Sequence, residues 1–148
     1  MSKQFDENEM AQFAQRWVAQ WSESDPELRA KLIREIWADD GVQVLVDPPL
    51  EIREAAAALS FTVPSLEVRG HAALLARVAR AYEMFIEPGE YAFEAAGAPT
   101  QLPAGLIGLA WNMVSKADGT VAGGGYDVFG LAADGRIQLD YQFIEGVR

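Results

Sequence analysis

At 148 residues, half of them apolar and none of them cysteine, the chain can bury one core and excludes a disulfide scaffold, thiolate zinc sites and cysteine nucleophiles. Its 22 acidic against 12 basic side chains leave a net charge of −10, a field that repels phosphate backbones and argues against a nucleic-acid partner. The start "MSKQFDENEM" is too polar for a signal peptide and no apolar run reaches the length of a membrane span, so the expectation is one cytoplasmic domain over 1–148 with no membrane partner.

In chain order, Met10, Phe13, Ala14, Trp17, Val18 and Trp21 recur at helical spacing and predict a first helix with one apolar stripe. A second helix has a clear start, with Asp25 as N-cap, Pro26 in the first position and Glu27 behind it. Its buried face is expected at Leu28, Leu32, Ile36 and Trp37, with "ADDG" ending it at Gly41 and Asp39 and Asp40 in the turn. "VQVLV" (42–46) predicts a short strand running into Asp47 and two prolines, and "EIREAAAAL" (51–59) an alanine-rich helix in the connection. Gly70 precedes a third long helix, with Leu74, Leu75, Val78, Tyr82 and Phe85 near one face, which breaks at Pro88-Gly89.

The remainder reads as strands. Asp118-Gly119 and Asp134-Gly135 are hairpin signals, because such turns need residues that tolerate positive φ, so three C-terminal strands form an antiparallel meander. Alternation puts Ile107, Leu109, Trp111 and Met113 on one side of their strand. It puts Ile137, Leu139, Tyr141 and Phe143 on the core side of the last strand, and Gln138, Asp140 and Gln142 opposite. In the middle strand it groups Asp127 with Phe129 and Leu131, which is unexpected company for an aspartate. "GGG" at 123–125 lacks the GK[ST] of a phosphate loop and marks a bulge or bend instead. Helices first and a meander last describe an α+β domain.

The pieces "QRWVAQWSESD", "IWADDGVQVLVDP", "VRGHAALL" and "GYDVFGLAADGRI", in that order, resemble the nuclear-transport-factor-2-like superfamily, whose members include SnoaL-like polyketide cyclases and ketosteroid isomerase. The resemblance covers nearly the whole chain and implies a cone-shaped α+β barrel, often a homodimer, around one apolar pocket. It does not fix a function, since the fold hosts isomerases, cyclases, hydrolases, dehydratases and binders. Ketosteroid isomerases keep a base aspartate before a proline at the strand end that Asp47-Pro48 matches, on a strand two residues shorter. They also keep a protonated aspartic acid in the oxyanion hole, at the position of Asp127. Their first-helix tyrosine is Trp17 here, and the histidine that SnoaL-like cyclases pair with the acid is missing from "LIGLAWNMV". The long connection 48–69 makes 51–59 a candidate lid.

The residues and the resemblance together give a cofactor-independent proton-transfer enzyme, an isomerase, cyclase or dehydratase, acting on an apolar carbonyl compound. Asp47 is the expected base, its pKa raised by burial, and Asp127 the acid or oxyanion partner. Trp17, Trp111, Phe129 and Tyr141 are expected to line the pocket, with His71 at its rim as a proton shuttle or simply a solvent-facing helix start. No metal site is expected, since ligands would have to be carboxylates alone and their spacing does not argue for one. A non-catalytic carrier or assembly domain of the same fold is the alternative, and a protein-interaction module a third possibility.

Overall fold

The structure is a computed structural model, and the residues it describes are 5–46, 54, 58, 59 and 66–145. Asp47 and almost all of the 51–59 helix lie outside them.

Helix α1 (Glu7–Ser22) starts in a capping box: Asp6 accepts from the Glu9 N–H at 2.8 Å, and Glu9 accepts from the Asp6 N–H at 3.2 Å. Helix α2 (Pro26–Ile36) starts at Asp25, whose carboxylate accepts from the Glu27 N–H at 2.9 Å. Its buried face is the expected one only in part: Ile36 and Trp37 are buried and Leu32 packs against the core. Leu28 is 49% exposed, and Arg29, Ile33 and Ile36 face inward, the Arg29 guanidinium bonded to the Glu23 carbonyl and lying over the Tyr82 ring.

Nor does α2 reach Gly41. It stops at Ile36, and Trp37 opens strand β1 (Trp37–Val46). The Trp37 carbonyl is taken by His71 at 2.9 Å and Arg136 at 3.2 Å, and its indole N–H by Gln20 at 2.9 Å, so the chain is held extended where the helix would have continued. The "ADDG" stretch is a bulge in β1: the register with the last strand shifts between Trp37 and Val42. Gly41 is required there, because a Cβ would stand 2.8 Å from the Ile137 carbonyl oxygen.

Strand β2 (Leu66–Arg69) leads into α3 (Gly70–Ala81), which ends in a π-turn over Tyr82–Ile86. Then come β3 (Tyr91–Ala95), the short β4 (Thr100–Gln101), β5 (Ile107–Ser115), β6 (Val121–Leu131) and β7 (Ile137–Ile144). They form a seven-stranded sheet in the order β2-β1-β7-β6-β5-β3, with β4 beside β5. All pairs are antiparallel except β1 with β7. The expected meander is β5-β6-β7, and Gly119 and Gly135 take the positive φ its turns need. The fold is α+β, with three helices on a mostly antiparallel sheet, but the described strands form an open sheet rather than a closed barrel. The core lies between helices and sheet, built on Phe13, Trp17, Ile33, Leu74, Leu109 and Phe129.

One register shift decides what the inner face carries. Leu131 pairs with Ile137 but Gly130 with Leu139, so β7 holds one extra residue at Gln138. The bulge moves the alternation by one position, which turns Asp140 and Gln142 inward beside Ile137. Tyr141 accordingly points to the other face and is 42% exposed, which corrects its expected place in the pocket wall.

Candidate active site

Asp127 lies on the inner face of β6, between Leu109 on β5 and Gln142 on β7, and has no exposed surface. Its carboxylate accepts from the Trp111 indole N–H at 2.7 Å and from the Gln142 amide at 3.3 and 3.4 Å. Asp140, also without exposed surface, accepts from the Gln43 amide at 2.9 Å through one oxygen, while its other oxygen has no hydrogen-bond partner among the described residues. Burial and the mutual repulsion of the two carboxyls favour a proton held between them.

Burial raises Asp127 to about 6, against the lowering effect of its hydrogen bonds from Asp140, Trp111 and Gln142 and of the Arg77 charge. Asp140 goes well above the ordinary range, through burial first and the neighbouring Asp127 charge second. The pair thus holds one proton at a pH where isolated aspartates hold none. Arg77 faces it from α3, its pKa lowered to about 10 by burial, with the Asp127 and Asp140 charges acting the other way. Its guanidinium donates to Gln142 at 2.9 Å and lies 5.0 Å over the Trp21 ring.

Trp111, Gln142 and Arg77 separate the acid pair from a cavity of about 340 Å³. The cavity wall is otherwise largely apolar: Trp17, Trp21, Phe85, Phe93, Met113 and Ile144. Trp17 meets Trp111 with ring centroids 6.3 Å apart, and Phe93 stands edge-on to Trp111 at 5.7 Å. Glycines shape one side. A Cβ at Gly125 would strike the Trp111 ring, its nearest bridgehead carbon being 2.7 Å away, so this glycine lets the indole lie across β6 and reach Asp127.

Of the residues singled out from sequence, Trp17 and Trp111 line the cavity, while Asp127 stands directly behind Trp111. Phe129 is fully buried beneath Trp17 and belongs to the core. His71 is bound to the Trp37 carbonyl at the start of α3 and is not part of the wall. Arg77, Asp140, Gln142 and Gln43 went unrecognised. Arg77 had a signal, since it falls within the apolar stripe of Leu74, Val78 and Ala81. The other three are polar residues turned inward on β1 and β7, and the bulge hid those on β7. Among the described residues no group of three or more His, Asp or Glu side chains is placed to hold a metal.

The arrangement matches a known set of folds. An isomerase candidate of the SnoaL-like family from Agrobacterium tumefaciens superposes with a TM-score of 0.71 at 27% identity, covering 94% of this chain and 99% of that one. The chain has the SnoaL-like, NTF2-like fold. A SnoaL-like protein of unknown function from Burkholderia thailandensis aligns at 17% identity and a TM-score of 0.64, over 95% of this chain and 98% of its own. A candidate SnoaL-like polyketide cyclase from Jannaschia aligns at 13% and 0.63, over 98% and 91%. No family sequence profile and no functionally curated protein matches the chain. Several of the structural neighbours carry isomerase or cyclase names, and no helix among the described residues is long and apolar enough to cross a membrane.

Proposed function

We propose that this SnoaL-like domain is a cofactor-independent proton-transfer enzyme, an isomerase, cyclase or dehydratase, acting on an apolar cyclic carbonyl compound in the cavity. The observation that carries the reading is the buried carboxyl pair, Asp127 with Asp140, standing behind one wall of an apolar cavity, where burial raises the pKa of both. A group with a pKa of about 6 is poised for proton exchange near neutral pH. Asp47, two positions beyond the buried Leu45, acts as the base on the carbon next to the carbonyl. The negative charge that develops on the carbonyl oxygen is received on the Arg77 side, and the carboxyl pair supplies the proton through Asp127, Asp140 passing its own proton to Asp127 as Asp127 gives one up. This requires Trp111 or Gln142 to give way, since both stand between Asp127 and the cavity.

A second reading is favoured by one specific observation. Asp127 is already engaged by Trp111, Gln142 and Asp140 and does not itself line the cavity, as suits a structural network beneath a non-catalytic binding pocket. A homodimer through the outer sheet face, where Tyr141 is exposed, is compatible with both readings.

A crystal structure with 2-naphthol separates the two. Its oxygen within hydrogen-bond reach of Asp127, with Trp111 or Gln142 displaced and Asp47 beside the ring, supports the enzyme. A ring bound with the Asp127 bonds intact and Asp47 turned away refutes it.

A further inference from the structure

The charge balance of the cavity points to the class of ligand. Arg77 lies on the apolar face of α3, between the buried Leu74 and Val78, with its guanidinium 5.0 Å over the Trp21 ring and in the wall of the cavity. Among the described residues it makes no ion pair. One nitrogen donates to the neutral Gln142 oxygen, and its Nε–H is buried without a partner. Asp127 and Asp140 are the negative groups that act on it, but Trp111, Gln142 and Gln43 already hold them and neither is within ion-pair distance of its guanidinium. The indole N–H groups of Trp17 and Trp21, both from cavity-lining residues, are likewise buried and unpaired. Unmet buried donors are costly and uncommon in native proteins. Glu145 also lines the cavity, and the unpaired acceptors Gln43 Oε1 and Asp140 Oδ1 lie behind the wall, but the unpaired atoms of the lining residues themselves are three donors, a cation among them.

We propose that the ligand of this cavity is an anion, an apolar ring compound bearing a carboxylate that is bound by the Arg77 guanidinium. The planar fork of a guanidinium matches the two oxygens of a carboxylate, and the apolar wall of Trp17, Phe93, Trp111 and Met113 accepts the ring. The volume of about 340 Å³ is that of a small-molecule site. The inference takes the place of the ligand from the proposed function, but does not depend on turnover.

The test uses matched pairs of probes on the intact protein: benzoate, cyclohexanecarboxylate and 2-naphthoate, each against its neutral amide. Binding is followed by calorimetry and by the Arg77 Nε–H resonance in nitrogen-15 spectra. The expected result is that at least one carboxylate binds tenfold or more tightly than its amide and moves that resonance downfield. Arg77→Gln should bring the ratio to about one and Arg77→Lys should keep part of it, with thermal melting run alongside. The wild-type ratio decides even if a variant fails to fold. Equal binding of acid and amide in every pair, or no binding by any probe, overturns the proposal and leaves Arg77 as a counter-charge to the acid pair. Anion preference with no proton exchange on any carbonyl compound would sink the enzyme reading alone. Exchange on neutral ketones without anion preference would sink this one alone.

Discussion

Replacing Asp140 by asparagine should make the protein more stable, by an amount that grows with pH. Asp140 accepts from Gln43 through one oxygen, and its other oxygen, unpaired among the described residues, is where a proton held against the Asp127 charge would sit. An asparagine in the same rotamer keeps the Gln43 bond through its oxygen and offers its amide nitrogen in place of that protonated oxygen. What changes is the proton. In the unfolded chain Asp140 loses it near pH 4, whereas the native pair keeps it because burial and the Asp127 charge raise the Asp140 pKa. A raised carboxyl pKa means that the folded state binds more protons than the unfolded one, so stability falls as pH rises through that window. The fall is about 1.4 kcal/mol for each pH unit above ~4 over which the native pair keeps its proton, and asparagine does not suffer it. Asp140→Asn should therefore match wild type at about pH 4 and exceed it by a margin that widens as pH rises above that. Urea denaturation across pH 4 to 8 measures this. A variant less stable than wild type at neutral pH, or a difference that does not change with pH, would refute the shared proton.

Asp127→Asn should do the opposite. Its amide would face the Gln142 amide and the Asp140 proton with donors, and Arg77 would lose its nearest negative charge, for a loss of about 3 kcal/mol by denaturation. Gly125→Ala should displace the Trp111 indole from Asp127, costing about 1–3 kcal/mol and shifting the Trp111 indole N–H resonance, while a variant with that resonance unmoved would contradict the packing argument. His71→Ala should cost about 1 kcal/mol by removing the bond to the Trp37 carbonyl and leave ligand affinity in the cavity unchanged; a drop in affinity would put His71 back at the site.

Where local chemistry decides the structure, the sequence was readable. The Asp25-Pro26 start of α2, the Asp-Gly turns and the inward side of β5 all follow from residues within a few positions of one another. Asp127 was found the same way, as an aspartate in step with Phe129 and Leu131. Asp140 and Gln142 were assigned to the wrong face because one extra residue at Gln138 reverses the alternation, and that bulge arises from pairing with β6, far away in sequence. The spacing of Trp37 suits a helix, but His71 and Arg136 reach its carbonyl from distant elements and hold it in β1. Arg77 was legible in principle. A cation within an apolar helical stripe has to face something, and here it faces the acid pair and the cavity.

The central claim is proton transfer in the cavity, and the most direct measurement is solvent-deuterium exchange at the carbon next to the carbonyl. A panel of cyclic ketones and keto acids would be incubated with protein in deuterium oxide and followed by NMR, for wild type, Asp47→Asn and Asp127→Asn. Wild type should show exchange on at least one compound, with at least a hundredfold loss in Asp47→Asn and a smaller loss in Asp127→Asn. No exchange across the panel, or exchange that survives Asp47→Asn unchanged, would contradict it.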